Sequence, residues 1–232
     1  MLMNTKTLTV RFLTPAFLGD TEQRGAWRTP PFKAQLRQWW RLALAAQKQW
    51  DWRQIRAAEV ELFGNAWPDQ VARRSQMRLR LSKWQPGEKN AWSNGSGQQD
   101  SMTILVGRQK VDAALGFEPR VHNKQSNRPH LKYERAIEAG ETAELRLAWP
   151  AEATGAEYIE AALALMSRFG TVGGRSRNGW GSYVLGGAAA ATWTDYLIDC
   201  HEALKVDWVR GIGRDERGPL IWRTRKAYPS WE

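Results

Sequence analysis

The sequence predicts an α+β protein in which an antiparallel sheet packs against helices. Three observations carry that expectation. Residues 8–13, 76–84 and 141–149 alternate apolar with polar side chains, the period of a half-buried strand. Residues 32–48, 52–63 and 156–169 run without a breaker and repeat apolar residues at helical spacing. The two patterns interleave without heptads or a fixed repeat, and a chain of 232 residues with 42% hydrophobic content can bury a core without disulfides.

The first strand stops at Thr14-Pro15, because proline restrains the residue before it and cannot donate to a ladder. A turn at Gly19-Asp20 follows. Pro30-Pro31 makes a helix entry, since a fixed φ suits the first turn and no amide is wasted there. The helix over 32–48 places Phe32, Leu36, Trp39, Trp40 and Ala43 on one apolar face. Lys33, Arg37 and Arg41 fall at i, i+4 and i+8 on its edge, a basic stripe about 12 Å long that can either meet two adjacent phosphates or face water. The second helix stops at Gly64-Asn65. In the strand over 76–84, Met77, Leu79 and Leu81 alternate with Arg78, Arg80 and Ser82, so its exposed face is basic. Residues 85–100 read as a polar surface loop and 103–106 as a short strand, while 107–129 shows no clear period. Beyond His130 come a strand over 141–149 and a helix with Tyr158, Ala162, Leu165, Met166 and Phe169 on its apolar side. A strand over 180–185 ends the pattern.

Thirty-four Lys and Arg against 24 Asp and Glu leave a formal charge of +10, which favours polyanionic partners. Fourteen tryptophans are present, several beside cations, as in Trp27-Arg28, Trp39-Trp40-Arg41, Trp52-Arg53 and Trp222-Arg223. Most belong to a core by their size, but two or three would suffice as a platform for unpaired bases. Cys200 is the only cysteine, so the expected setting is a reducing, cytoplasmic one, and no apolar run suggests a leader or a membrane partner.

Residues 169–182 pack Gly170, Gly173, Gly174, Gly179 and Gly181 around Arg175, Ser176, Arg177 and Asn178. Such a loop can turn several main-chain amides and two guanidinium groups toward phosphate, or can simply be a hairpin. It matches neither nucleotide-binding fingerprint, so no nucleotide cofactor is expected.

The order of five motifs resembles the RAMP superfamily of CRISPR-associated RNA-binding proteins. They are Leu13-Thr-Pro-Ala-Phe-Leu-Gly19, Arg28-Thr-Pro-Pro-Phe-Lys-Ala-Gln-Leu-Arg-Gln-Trp-Trp-Arg41, Leu62-Phe-Gly64, Ala136-Ile-Glu-Ala-Gly140 and Gly173-Gly-Arg-Ser-Arg-Asn-Gly-Trp-Gly181. The likeness spans most of the chain apart from 85–129. It implies a ferredoxin-like βαββαβ core, similar to an RNA-recognition module, with the glycine-rich loop against guide-RNA phosphates. One departure is Lys33-Ala34 where relatives often carry Lys-Gly. A single domain over 1–232 with an insertion around 85–129 is expected, with two ferredoxin-like halves as the alternative. Two subfamilies fit: the type IV endonucleases that cut precursor guide RNA (crRNA) and stay on the repeat stem-loop, and the first subunit of the Cmr-type effector complex. Either implies antiviral defence with RNA and other effector subunits as partners.

The type IV likeness implies cleavage carried by arginines without a metal. Such cleavage needs an aligned 2′-hydroxyl and cations on the phosphate oxygens, and arginine's bidentate fork supplies the latter. Arg24, Arg37 and Arg223 are the candidate catalytic residues. Arg28, Lys33, Arg41, Gly173, Gly174, Arg175, Ser176, Arg177, Asn178, Gly179 and His130 are the candidate RNA contacts. His122 and His130 could serve as acid or base, and no pair of histidines stands at helical spacing for a metal, so a metal-dependent nuclease is disfavoured.

Overall fold

A computed structural model describes residues 2–19, 25–66, 71–88, 104–106, 109–111, 120–123, 128–131, 136–174, 176–190, 192–205 and 211–221. In chain order, β1 (Met3–Phe12) leads to α1 (Thr29–Ala45), α2 (Trp52–Phe63) and β2 (Arg78–Leu81). Two short pairs follow, β3 (Ile104–Val106) with β4 (Gln109–Val111) and β5 (Arg120–Asn123) with β6 (Arg128–Leu131). Then come β7 (Thr142–Pro150), α3 (Ile159–Phe169) and β8 (Tyr183–Gly186). The chain continues through β9 (Leu197–Asp199), α4 (Cys200–Ala203), β10 (Ile212–Asp215) and β11 (Gly218–Pro219).

The main sheet has the order β2-β7-β1-β8 with every neighbour antiparallel. Four strands interrupted by helices after the first and third, with the first and third at the centre, form the ferredoxin-like arrangement. Leu8, Val10 and Phe12 alternate with Thr7, Thr9 and Arg11, and register sets Leu8 opposite Leu145 and Phe12 opposite Tyr183. One sheet face therefore carries the core. Against it lie Phe32, Leu36 and Trp40 of α1 and Ile159, Leu163 and Met166 of α3, all in one buried cluster.

β1 begins five residues before the expected start. The apolar pattern is silent there because the inward position Lys6 is not apolar; it pairs instead with Glu160 on α3. At the other end, Trp180 and Gly181 belong to the turn and Ser182 makes only an isolated bridge to Thr171, so β8 starts at Tyr183. Residues 107–129, which show no period, contain β4, β5 and the start of β6; three- and four-residue strands are too short to display one.

α1 opens without a side-chain cap, and its prolines occupy the first turn. Trp40 Nε1 donates to the Gly155 carbonyl at 2.7 Å, tying α1 to the turn before α3. The chain reverses through left-handed Gln49 and Trp50 before Asp51 caps α2 by accepting from the Arg53 amide at 2.9 Å. The C-terminal sheet, ordered β11-β10-β9, attaches through Trp193, whose ring meets Phe169 edge-on at 6.1 Å under the Arg168 guanidinium.

Candidate nucleic-acid interface

The end of the sheet where β1 exits and β8 enters is layered with loops. Leu13 donates to Ser182 at 2.7 Å, Ala16 exchanges hydrogen bonds with Ile137, and Gly87 donates to Gly25 at 3.1 Å. The buried carboxylate of Glu141 accepts from the amides of Glu88 and Glu138 at about 3.0 Å, locking the loop before β7 against that after β2.

The glycine-rich loop lies on this scaffold. Gly174 donates to Phe17 at 2.9 Å and Gly181 to Pro15 at 2.8 Å, while the Thr14 hydroxyl donates to the Gly179 carbonyl at 2.7 Å. Close approach explains two of the glycines. A Cβ on Gly173 (φ +96) would stand 2.7 Å from the Phe17 oxygen, and one on Gly181 (φ +68) only 1.9 Å from the Val172 oxygen. Several amides that could have turned to an anion are thus used inside the protein, since Gly174, Gly179, Gly181 and Ser182 all donate to protein oxygens. Gly179, by contrast, faces open space, and beside it Ser176 is half-buried and Arg177 exposed.

A cleft of about 240 Å³ opens between the two loops, lined by Leu18, Gly19, Arg28, Pro31, Gly173 and Gly174. Arg28 is half-buried there and is oriented by a hydrogen bond from its Nη1 to the Gly19 carbonyl. Three of the sequence-predicted contacts, Arg28, Gly173 and Gly174, are thereby brought together.

The basic stripe on α1 is arranged differently. Arg37 and Arg41 both turn to Glu59 of α2, a carboxylate 2% exposed. Arg41 grips it with two nitrogens, its Nε at 2.7 Å from Oε2. The stripe is therefore neither a free ladder for phosphates nor a merely solvated face; two of its three cations hold two helices together. Lys33, the third, has its ammonium pushed below the ordinary lysine range, first by burial and then by Arg37. Glu59 was legible as an anomaly, for it occupies the apolar stripe of α2 with Ile55, Ala58, Leu62 and Phe63.

Arg24, Arg175 and Arg223 lie outside the described residues. His130 is in β6 opposite Val121, and Asn178 is in the short turn before Gly179; only their backbone positions are described. Of the tryptophans beside cations, Trp27 and Trp40 are core, and Trp39 stacks on Phe169 at 5.7 Å. Arg53 covers Trp52 at 5.0 Å, at the edge of a second cleft of about 550 Å³ that also takes Arg56 and Arg73. Among the described residues no three His, Cys, Asp or Glu converge as a metal site, and no helix is long and apolar enough to cross a membrane.

The model of the RAMP superfamily matches residues 9–184. Among solved structures the chain is similar to a chain of the Type IV-B CRISPR Complex at 15% identity and TM-score 0.43, covering 78% of this chain and 89% of that one. It is also similar to Cmr1 from Pyrococcus furiosus (apo form) at 16% identity and TM-score 0.44, covering 84% of this chain and 52% of that one. A chain of the Type III-B Cmr-beta bound to cognate target RNA shares 12% identity at TM-score 0.43, with 79% and 53% covered. The protein thus spans about half the length of the two Cmr chains. No curated protein matches it.

Proposed function

The chain belongs to the RAMP superfamily, and from that premise we propose that it binds the repeat of a CRISPR guide RNA as a subunit of an effector assembly. The observation that carries the reading is the convergence of Arg28, from the loop before α1, with Gly173 and Gly174, from the loop after α3, on one cleft. A guanidinium already oriented by the Gly19 carbonyl loses little freedom on meeting a phosphate. Further proposed contacts are Arg175, Ser176, Arg177, Asn178 and Gly179 of the same loop, together with Lys33, His130 and Arg41, the last of which would have to serve RNA while holding Glu59. Replacing exposed Arg177 with Ala should lower the salt slope of binding to repeat RNA by about 0.7, the value of one single-strand phosphate contact. An unchanged slope removes the loop from the interface.

The finer reading is metal-independent processing of precursor crRNA at the repeat stem-loop, with the product retained. The 2′-oxygen gives up its proton and bonds to phosphorus, the 5′-oxygen leaves and takes a proton, and a cyclic phosphate remains. Arg24, Arg37 and Arg223 are the proposed cations for the charge that builds on the phosphate. The test incubates the purified chain with end-labelled repeat RNA in EDTA. Cleavage at one position, lost in Arg24→Ala or Arg223→Ala with binding intact, supports the enzyme. Tight binding without a product supports the second reading, a Cmr-like subunit that binds and does not cut. What favours that second reading is the engagement of Arg37 by Glu59, which leaves this guanidinium partly neutralised.

A further inference from the structure

Among the described residues the main sheet is covered on one face only. On the other, register lines up Thr5, Thr7, Thr9 and Arg11 of β1 beside Thr142, Glu144 and Arg146 of β7, with Arg78 and Arg80 of β2 at the edge. We propose that this open face binds the backbone of single-stranded RNA, a surface separate from the glycine-rich loop. Phosphates sit between Arg80 and Arg146 and beside Arg78, and one base lies on Trp84.

Charge is the first ground. Four arginines on these strands, Arg11, Arg78, Arg80 and Arg146, face a single carboxylate, Glu144. Register is the second. Arg80 and Arg146 are direct partners across β2 and β7, and like charges set opposite one another cost stability. They are held apart, Arg146 turning to Glu144 at 2.7 Å and Arg80 lying over the Trp84 ring at 5.2 Å. A phosphate between them would take a fork from each and remove the repulsion. Spacing is the third, since Arg78 and Arg80 stand two residues apart on one side of a strand, about 7 Å, the order of one step along an extended nucleic-acid strand.

The aromatic content identifies the occupant further. Trp84 is 59% exposed, which is unusual for so large a ring, and a cation already packs on it. Along the middle of the central strands the outward positions are threonines and charged residues, with Met3 and Ala148 toward one end and no aromatic ring. The face therefore cannot stack bases along its middle as an RNA-recognition module does, and its contacts there are to the backbone. A protein partner would need a buried apolar or aromatic centre, and threonines and arginines do not supply one.

The test titrates fluorescein-labelled oligouridylate against the full chain across a salt series. The combined variant Arg78→Ala, Arg80→Ala, Arg146→Ala should lower the slope by about 1.4, two phosphates at about 0.7 each. Glu144→Gln frees Arg146 and should raise affinity severalfold at low salt, a gain that misfolding cannot mimic. Thiouridine in the probe should photo-crosslink to the peptide holding Trp84, and Trp84→Ala should abolish that crosslink. If the triple variant keeps the wild-type slope while Arg177→Ala lowers it, the sheet face is not an RNA site and the loop reading stands. If the triple variant lowers it and Arg177→Ala does not, the loop reading fails and the sheet face stands. A triple variant with an unchanged slope that no longer binds an acidic protein partner also overturns the inference.

Discussion

Arg37 and Arg41 on α1 differ from Arg78 and Arg80 on β2 in one respect that matters for function. Both pairs are regular rows of cations on one side of an element, and both sit beside buried apolar residues. The α1 pair points at a helix that carries Glu59, and its charge is spent on holding α1 to α2. The β2 pair points away from the core, toward a neighbouring strand whose only carboxylate, Glu144, is already taken by Arg146. A basic row is available to a ligand only when the fold leaves it without a counter-charge.

The strongest way to break this contrast is at Glu59. Glu59→Ala should destabilise the protein by about 3 kcal/mol, because two half-buried guanidinium groups lose their partner. Denaturant unfolding measures it, and a loss under about 1 kcal/mol would mean that the arginines reach solvent unaided. Next in size are the single arginine replacements. Arg41→Ala, which removes two contacts to a buried carboxylate, should cost about 2 kcal/mol, whereas Arg78→Ala on the open face should stay within about 0.5 kcal/mol. Equal costs would erase the distinction between the rows.

The smallest effect concerns pH. Lys33 has its folded-state pKa lowered below the ordinary 10.5, mainly by burial and next by Arg37, so the folded protein binds this proton less tightly than the unfolded chain does. Below the folded value the lysine is charged in both states and its burial penalty is fully present. As pH rises through the folded value toward 10.5, the folded state sheds the proton first and stability rises. Lys33→Met should flatten this alkaline gain relative to the parent, as followed by thermal melts across that range. A parallel pair of curves would show that Lys33 is solvated.

Much of the fold was legible because its signals are local. Leu8, Val10 and Phe12 state their own alternation, Pro30-Pro31 marks the start of α1, and Gly64 ends α2 with φ +74. The start of β1 was not, since Lys6 fills an inward position through a partner, Glu160, more than 150 residues away. The site was legible in part. Arg28 and Gly173 could be named from the chain, but the glycine-rich loop spends several amides on Pro15, Phe17 and Ser176, which no motif discloses.

What the amino-acid order determined alone is the alternation of periods, the turn chemistry and a surplus of positive charge, because each depends on neighbours within a few residues or on a sum. Tertiary structure decided which of those charges are free. Arg37 meets Glu59 across 22 positions of chain, and Arg28 shares a cleft with Gly173 although the two are distant in sequence. Coulomb attraction and close packing act through space, and their partners are assigned only once the strands have paired.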